Sequence, residues 1–557
     1  MKIRLRPWLL PVSLGACLGA QASDGEAFYG TREAFASDAI YFVMTDRFVN
    51  GDPGNDQRDQ GGDHPTFDRP VELKPGELAN IGYLGGDFKG VLDNAGYIHD
   101  LGFNAVWITP IVDNPDQAFT GSKPIASGSI GTDQGKTGYH GYWGVNFYKL
   151  DEHLPSPGLD FAGFTRAMQA QDLKVVLDIV ANHGSPAYSM PVAQPMFGQI
   201  YDADGKLVAD HQNLRPGQLD PARQPLHRFY NTRPGLAELS DTNENNPDVL
   251  DYFVGAYEQW IDQGAAAFRV DTIRWMPHDF WKQFADRIRA RHPDFFMFGE
   301  NFDYDAATIA PHTWARNGHI SVLDFPMKKA MAEVFESPGS DYARLAASLY
   351  LEDGPYANPY DLVTFYDNHD MARLNASDQG FIDANNWLFT ARGIPALYYG
   401  SETGFMRGRG EHAGNRNYYG QQRIDDAARS PIYAPLKRIA NLRRDNIALQ
   451  RGLQLDVSLE GDQAVFYRVY QQDDQHQIAL VLLNKGDASH RFEVEQWLQS
   501  GSWRDGFSGK RVQVDGKLQV EVPGHDVRVL LLDQAVTRPD LKQRLQQLMA
   551  RKVPKAD

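Results

Sequence analysis

Residues 266–271 read Ala266-Ala267-Phe268-Arg269-Val270-Asp271, a mostly apolar run that ends in an acid. Such runs form strands buried on both faces of a parallel sheet, and a barrel of these strands presents its active residues at their carboxyl ends. Side chains alternate along a strand, so Arg269 and Asp271 point to one face. A guanidinium beside a carboxylate favours the ionised form and fixes its orientation, as a carboxylate nucleophile requires. An isolated Arg-x-Asp reads as a structural ion pair, so its meaning depends on the strands around it.

Outward from this run the chain alternates strand and helix patterns. Strands are predicted at 39–44, 105–108, 174–180, 295–298, 321–323, 362–365 and 396–399, with helices at Val91 to Leu101, Phe161 to Gln171, Val249 to Asp262 and Asp279 to Arg291. Together with the Phe268 strand these units predict an α/β fold, a (β/α)8 TIM barrel. The Gly, Pro and Asn-rich stretch after the third strand is too long for an ordinary loop and predicts an inserted subdomain. Beyond 451, apolar and polar residues alternate between turns, the pattern of a C-terminal antiparallel β-sandwich domain. The expected organisation is a leader at 1–22, barrel at 23–183, insertion at 184–247, barrel again at 248–450, sandwich at 451–533 and a helical tail at 534–557.

Acids and histidines recur where strands end: Asp178 with His183, Asp271, Glu300, then His369 with Asp370. Any one of them could cap a helix or pair with a base. Their placement at successive strand ends favours a shared site, and two carboxyl groups about 5 Å apart across a glycosidic bond carry out retaining hydrolysis.

Composition agrees with a folded exported protein that acts on a neutral ligand. The 557 residues are 42% hydrophobic and 12% aromatic, and the net charge of -17 disfavours nucleic acid as a partner. Lys2, Arg4 and Arg6 precede an apolar run from Trp8 to Leu18, and Ala20-Gln21-Ala22 fits a signal-peptidase site. Export to the periplasm or medium is expected. Leu14-Gly15-Ala16-Cys17 also resembles a lipobox, so anchoring through Cys17 is the alternative to simple removal. No later stretch is apolar for long enough to span a membrane, and a monomer is expected.

The strings DIVANH (178–183), FRVDTIRW (268–275), FGEN (298–301), FYDNHD (365–370) and TGYHGYW (137–143) resemble the motif set of the α-amylase family of glycoside hydrolases. The resemblance covers roughly residues 37 to 450. It implies Asp271 as nucleophile, Glu300 as general acid/base and Asp370 as transition-state stabiliser, with Arg269 orienting the nucleophile. It further implies that His140, His183 and His369 bind the sugar on the non-reducing side of the cut, that Tyr139 stacks on it with Trp143 nearby, and that Asn415 and Arg416 hold the next sugar out. A calcium ion is implied near the start of the barrel, held by Asn50, Asp52, Asn55, Asp56, Gly85 and Asp87. A second calcium would use Asn182 and Glu238, although this chain has Leu236-Ala237-Glu238-Leu239 where the family more often has Asp. Without the resemblance, the first cluster reads as an Asx-rich turn.

Within the family the motifs lie nearest to cyclodextrin glucanotransferases and maltogenic amylases. Cyclising members place an aromatic at the cleft centre; here Arg233-Pro234-Gly235 falls there, with Tyr230 as the nearest aromatic. On the acceptor side stand Arg274, Trp275 and Phe302, an aromatic wall that favours a sugar over water as acceptor. The extra starch-binding domains of the longer members are expected to be missing. The tail leucines Leu541, Leu545 and Leu548 are expected to pack on their own domain, a basic amphipathic anchor being the alternative. The implied activity is hydrolysis of α-1,4-glucans, with an α-glucan transglycosylase as the alternative and a catalytically silent binding module as the third reading.

Overall fold

The Phe268 run lies within the strand Ala265–Val270, the fourth of eight parallel strands. In chain order the others are Ile40–Val43, Ala105–Ile108, Lys174–Ile179, Phe296–Gly299, Ser321–Val322, Val363–Thr364 and Ile394–Tyr398. This computed structural model describes residues 26–126, 134–410 and 412–552, so the expected leader and Cys17 lie outside the described residues. Each strand pairs in parallel with its neighbours, and a parallel bridge between Leu323 and Val363 joins the sixth strand to the seventh. That bridge closes the sheet into a barrel. Apart from Lys174 and Ala266 the strand residues are buried, which is why they read as nearly unbroken apolar runs. Register then sets the chemistry, because Arg269 lies opposite Asp178 on the third strand and Phe298 on the fifth.

The helices cover the outside of the ring. Pro247–Asp262 starts with Asn246 capping the Asp248 N–H at 3.1 Å and a proline in its first turn, and buries Val249, Phe253, Tyr257 and Trp260 against the strands. One departure from the sequence reading is the helix expected over Val91 to Leu101. It is two helices, Phe88–Asp93 and Ala95–Leu101, because the Asn94 side chain donates to the Gly90 carbonyl at 2.8 Å where the chain turns.

The insertion after the third strand is tied at both ends. His183–Pro186 pairs antiparallel with Leu239–Asp241, setting Asp241 opposite His183. The C-terminal part has a six-stranded antiparallel sheet faced by the pair His490–Val494 and Leu518–Val522. Tyr467, Leu480, Trp503 and Leu530 fill the space between the layers. The tail helix Pro539–Met549 buries Leu541, Leu545 and Leu548 in the same core, at about 1.5–3 kcal/mol for each side chain fully removed from water. Its Lys542 and Arg544 pair with Glu26 and Glu352, so this stripe faces protein. No helix among the described residues is long and apolar enough to cross a membrane.

Two links join the parts. His525 sits between Asp383 of a barrel helix at 2.7 Å and Asp487 at 3.0 Å. Near the start of the described chain, Phe28 exchanges backbone hydrogen bonds of 2.8 and 2.6 Å with Gln471, whose side-chain amide also donates to the Glu26 carbonyl.

Candidate active site

Arg269 is fully buried and organises the carboxyl ends of the third to fifth strands. Its Nη1 lies 2.7 Å from Asp271 Oδ1 and 2.9 Å from Asp178 Oδ1, while Nη2 lies 2.9 Å from Glu300 Oε2. One guanidinium thus holds three carboxyl groups from three strand ends. Such a hub needs excellent geometry to offset the desolvation of its charges. Here Trp107 Nε1 and the Tyr142 hydroxyl also donate to Asp178, at 3.0 and 2.8 Å. Asp178 is thereby saturated and acts as a brace.

After Asp271 the backbone bends sharply. Thr272 has φ +48°, a left-handed conformation uncommon for a β-branched residue, and its N–H faces Glu300 Oε2 at 3.4 Å. Strain of this kind persists only where the surroundings enforce it, and it falls between the two carboxyl groups with the most chemistry to do.

The environments of the acids differ. Burial pushes Glu300 well above the usual carboxyl range, Arg269 pulling against it and Asp370 and Asp271 adding to it, so its surroundings favour the protonated form. Burial also opposes the charge on Asp370, but His369, Arg416 and Arg269 outweigh it and hold that group at about 2. Arg416 Nη2 lies 2.6 Å from Asp370 Oδ1. One acid whose surroundings favour the protonated form and one whose surroundings favour the anion therefore stand in one cleft, the pattern of a division of labour.

The histidines are neutral donors. Burial lowers His369 to about 3 and His140 well below the ordinary imidazole value. The Tyr142 N–H donates to His140 Nδ1 at 3.0 Å, so the ring proton sits on Nε2, a buried atom without a protein partner. His140, His183 and His369 all line one cavity of about 340 Å³ together with Asp271, Glu300 and Asp370. Trp143, Phe302 and Arg416 line it too, as do Trp275 and Arg274.

Three expected placements change. Tyr139 does not line this cavity; its ring lies under the Arg47 guanidinium at 3.7 Å, and the wall tyrosine is Tyr142, whose ring stacks on His369 at 5.4 Å. Asn415 is buried behind the wall, where its amide donates to the carbonyls of His369 and Met371 at 2.6 and 2.8 Å, so it positions the loop that carries Asp370. Tyr230 is 1% exposed with its hydroxyl on the Gly198 carbonyl, which removes it as a central cleft aromatic; Leu236 and Leu239 line that part instead. Residues absent from the sequence reading of this site are Lys136, Tyr142, Thr272, Leu236 and Leu239. Tyr142 had a signal, as the second tyrosine of the TGYHGYW string; Lys136 had none.

The first expected calcium cluster assembles. Asn50 Nδ2 is 2.7 Å from Asp56 Oδ1, Asn55 Nδ2 is 3.2 Å from Asp87 Oδ2, and a Cβ on Gly85 would collide with both Asn50 and Asp56. Asn50 Oδ1 and Asn55 Oδ1 are buried without a partner, hard oxygen donors of the type calcium takes. Asp87 also caps the helix that follows it, its carboxylate accepting from the N–H groups of Gly51, Asp52 and Gly90. Among the described residues no three His, Cys, Asp or Glu side chains gather as an ion site by themselves. At the second expected site, the carboxylate beside Asn182 is that of Asp241, at 3.4 Å, while Glu238 lies 4.0 Å from Lys123.

Comparison with known proteins agrees with this geometry. A cyclomaltodextrin glucanotransferase of Bacillus sp. (strain 38-2) is 31% identical over 477 residues, covering 82% of this chain and 60% of that protein, so the chain spans about 60% of that relative's length. An alpha-amylase of Niallia circulans is 29% identical over 487 residues, covering 86% of this chain and 85% of the other. The solved structure of a cyclomaltodextrin glucanotransferase with a three-domain ABC distribution aligns with a TM-score of 0.70 at 28% identity, covering 89% of this chain and 99% of that one. Residues 42–438 match the family model of the alpha-amylase catalytic domain, from the first barrel strand to the last long barrel helix, and the chain belongs to the alpha-amylase family.

Proposed function

We propose that the chain is a retaining hydrolase of α-1,4-glucosidic bonds in soluble starch, maltodextrins or cyclodextrins, with transfer to a second sugar as a competing outcome. The observation that carries this reading is the approach of one guanidinium to both Asp271 and Glu300, with Glu300 pushed by burial well above the usual carboxyl range. Carboxyl groups within ion-pair distance of neighbouring nitrogens of one guanidinium fit the closer spacing, about 5 Å, that goes with retention of configuration. Asp271 attacks the anomeric carbon while Glu300 gives its proton to the departing glycosidic oxygen, leaving a glycosyl ester on Asp271. Glu300, now a carboxylate, takes a proton from the incoming water or sugar hydroxyl as that oxygen displaces Asp271. Asp370 stays charged throughout and can hold the ring hydroxyls as positive charge spreads over the sugar. His140 Nε2–H supplies a further donor.

The transglycosylase reading has an observation of its own, the aromatic pair Trp275 and Phe302 on the cavity rim, 52% and 39% exposed. Cyclisation is disfavoured by the burial of Tyr230. Product chromatography from maltotetraose with a count of reducing ends separates the readings: mainly shorter sugars with a rising number of reducing ends supports the hydrolase, and longer and shorter products in balance at a nearly constant number of reducing ends replaces it with the transferase. Calcium, if bound, belongs to the Asn50, Asp52, Asn55, Asp56, Gly85 and Asp87 cluster, where it would cross-link the loop after the first strand. A melting temperature lowered by a chelator and restored by Ca²⁺ checks that assignment, and one indifferent to both removes it.

A further inference from the structure

Lys136 is the one cleft residue whose chemistry is unexplained by the fold. It lines the same cavity as the three acids, is 3% exposed, and follows the strand-ending loop four positions before His140. Its Nζ lies 5.8 Å from the centre of the Trp143 ring, and among the described residues no carboxylate pairs with it. A lysine ammonium carries three donors and no acceptor, and without a protein acceptor its donors are left to the cavity's own contents. Other buried bases among the described residues have protein partners. Arg443 and Arg468 bond backbone carbonyls, Arg392 reaches Asp324, and Arg47 reaches Asp46. Lys136 therefore presents its donors to the cavity and to no protein acceptor among the described residues.

The position says which part of the cleft it serves. Lys136 lies over Trp143, whose ring meets that of His140 edge-on at 4.9 Å, and Tyr142 beside His140 stacks on His369 at 5.4 Å, so Lys136 belongs to the part of the lining that carries His369 and Asp370. Arg274, Trp275 and Phe302 form another group of the lining, joined by Arg274 Nη1 on the Phe302 carbonyl at 2.9 Å, and Phe302 follows the acid/base Glu300 almost directly in the chain. The acid/base faces the departing oxygen, which makes the Phe302 end the leaving-group side and the Lys136 end the donor side.

The geometry points to Lys136 as a specificity-determining residue: its ammonium donates to hydroxyl oxygens of a glucose unit on the non-reducing side of the cut, beyond the unit being cleaved. This inference rests on the glucan-cleaving reading above. Hydroxyl oxygens of that unit accept from the ammonium, while Trp143 beside it offers its π-face to the same charge. Because the contact is made only by substrates long enough to reach it, Lys136 sets the length of donor the enzyme prefers.

The test compares wild type with Lys136→Met, which keeps the side chain's bulk without its charge, and with Lys136→Arg, which keeps the charge. The measured quantity is the ratio of kcat/KM for maltohexaose to that for 4-nitrophenyl α-glucoside, a substrate with one donor-side sugar. A hydrogen bond to a charged group contributes about 1.5–3 kcal/mol, so the ratio should fall about 10- to 100-fold in Lys136→Met and recover in part in Lys136→Arg. The melting temperature of Lys136→Met should be close to that of wild type, because no hydrogen bond or ion pair of the side chain is lost. An unmoved ratio overturns the inference, as does a lowered melting temperature with both substrates losing activity equally, which is the signature of a structural lysine. A ratio that falls only for phosphorylated maltooligosaccharides and not for neutral ones also overturns it, in favour of an anion site. If wild type cleaves neither substrate, the hydrolase reading itself fails; if it cleaves them and the ratio is unmoved, only the role of Lys136 falls.

Discussion

The two walls of the cleft are built on opposite principles. On the donor side, Arg269, Asp178, Tyr142, His369 and Arg416 form a continuous chain of hydrogen bonds and ion pairs, each member at most a few per cent exposed. On the leaving-group side, Trp275 and Phe302 stand half in solvent, and Arg274 touches them only through the Phe302 carbonyl at 2.9 Å and a loose approach to the Trp275 ring. A buried, saturated network fixes atoms to the precision that proton transfer and nucleophilic attack demand. An exposed aromatic pair offers area and tolerance, which is what a site needs when water and sugars compete for it. The difference places the chemistry in one wall and the choice of acceptor in the other.

Breaking the rigid wall should have the largest effect. Asp271→Asn or Glu300→Gln is expected to lower kcat on maltotetraose by about 10⁴-fold or more with circular dichroism unchanged. Near-normal turnover in either variant would remove the assignment of roles. A smaller and more selective effect is expected from Arg416→Gln. Asp370 is held at about 2 partly by that guanidinium, so its loss should raise Asp370 by about one to three units. The acid limb of the kcat profile should then move to higher pH, because the stabilising anion is lost as pH falls through the raised value. The alkaline limb reports Glu300 giving up its proton and should move less. An acid limb that stays in place would show that Asp370 is held by something else. Smallest is the open wall: Trp275→Ala should lower the ratio of transfer to hydrolysis about 10-fold, the value of one stacking contact, while total cleavage changes only several-fold. Equal losses of transfer and hydrolysis would mean that Trp275 serves the chemistry and that the two walls are not separate.

The legible parts of this molecule were those governed by strand periodicity and burial. Strands such as Ala105–Ile108 and Lys174–Ile179 announce themselves as apolar runs because both faces are covered, and acids at their ends stand out against that background. Register within the ring was legible only in part: the alternation that aims Arg269 at Asp271 is local, whereas its grip on Asp178 depends on how neighbouring strands align. Loops were the hardest. Tyr139 and Tyr142 flank His140 in one short string, and nothing in the order of residues tells which ring turns to the cavity and which to Arg47. Asn415 and Arg416 are adjacent, yet one faces the backbone of the Asp370 loop and the other its carboxylate. Lys136 is invisible in sequence because nothing in the order of residues tells that its side chain turns into the cavity and meets no protein acceptor among the described residues.

The strap formed by Glu26, Phe28 and Gln471 couples the order of synthesis to the order of locking. Gln471 must be made before the Glu26 carbonyl can receive its side-chain amide, across a separation of 445 positions. The segment just ahead of the barrel therefore waits, unfastened, until the sandwich has emerged, and one of the earliest parts of the described chain to leave the ribosome is among the last to be secured.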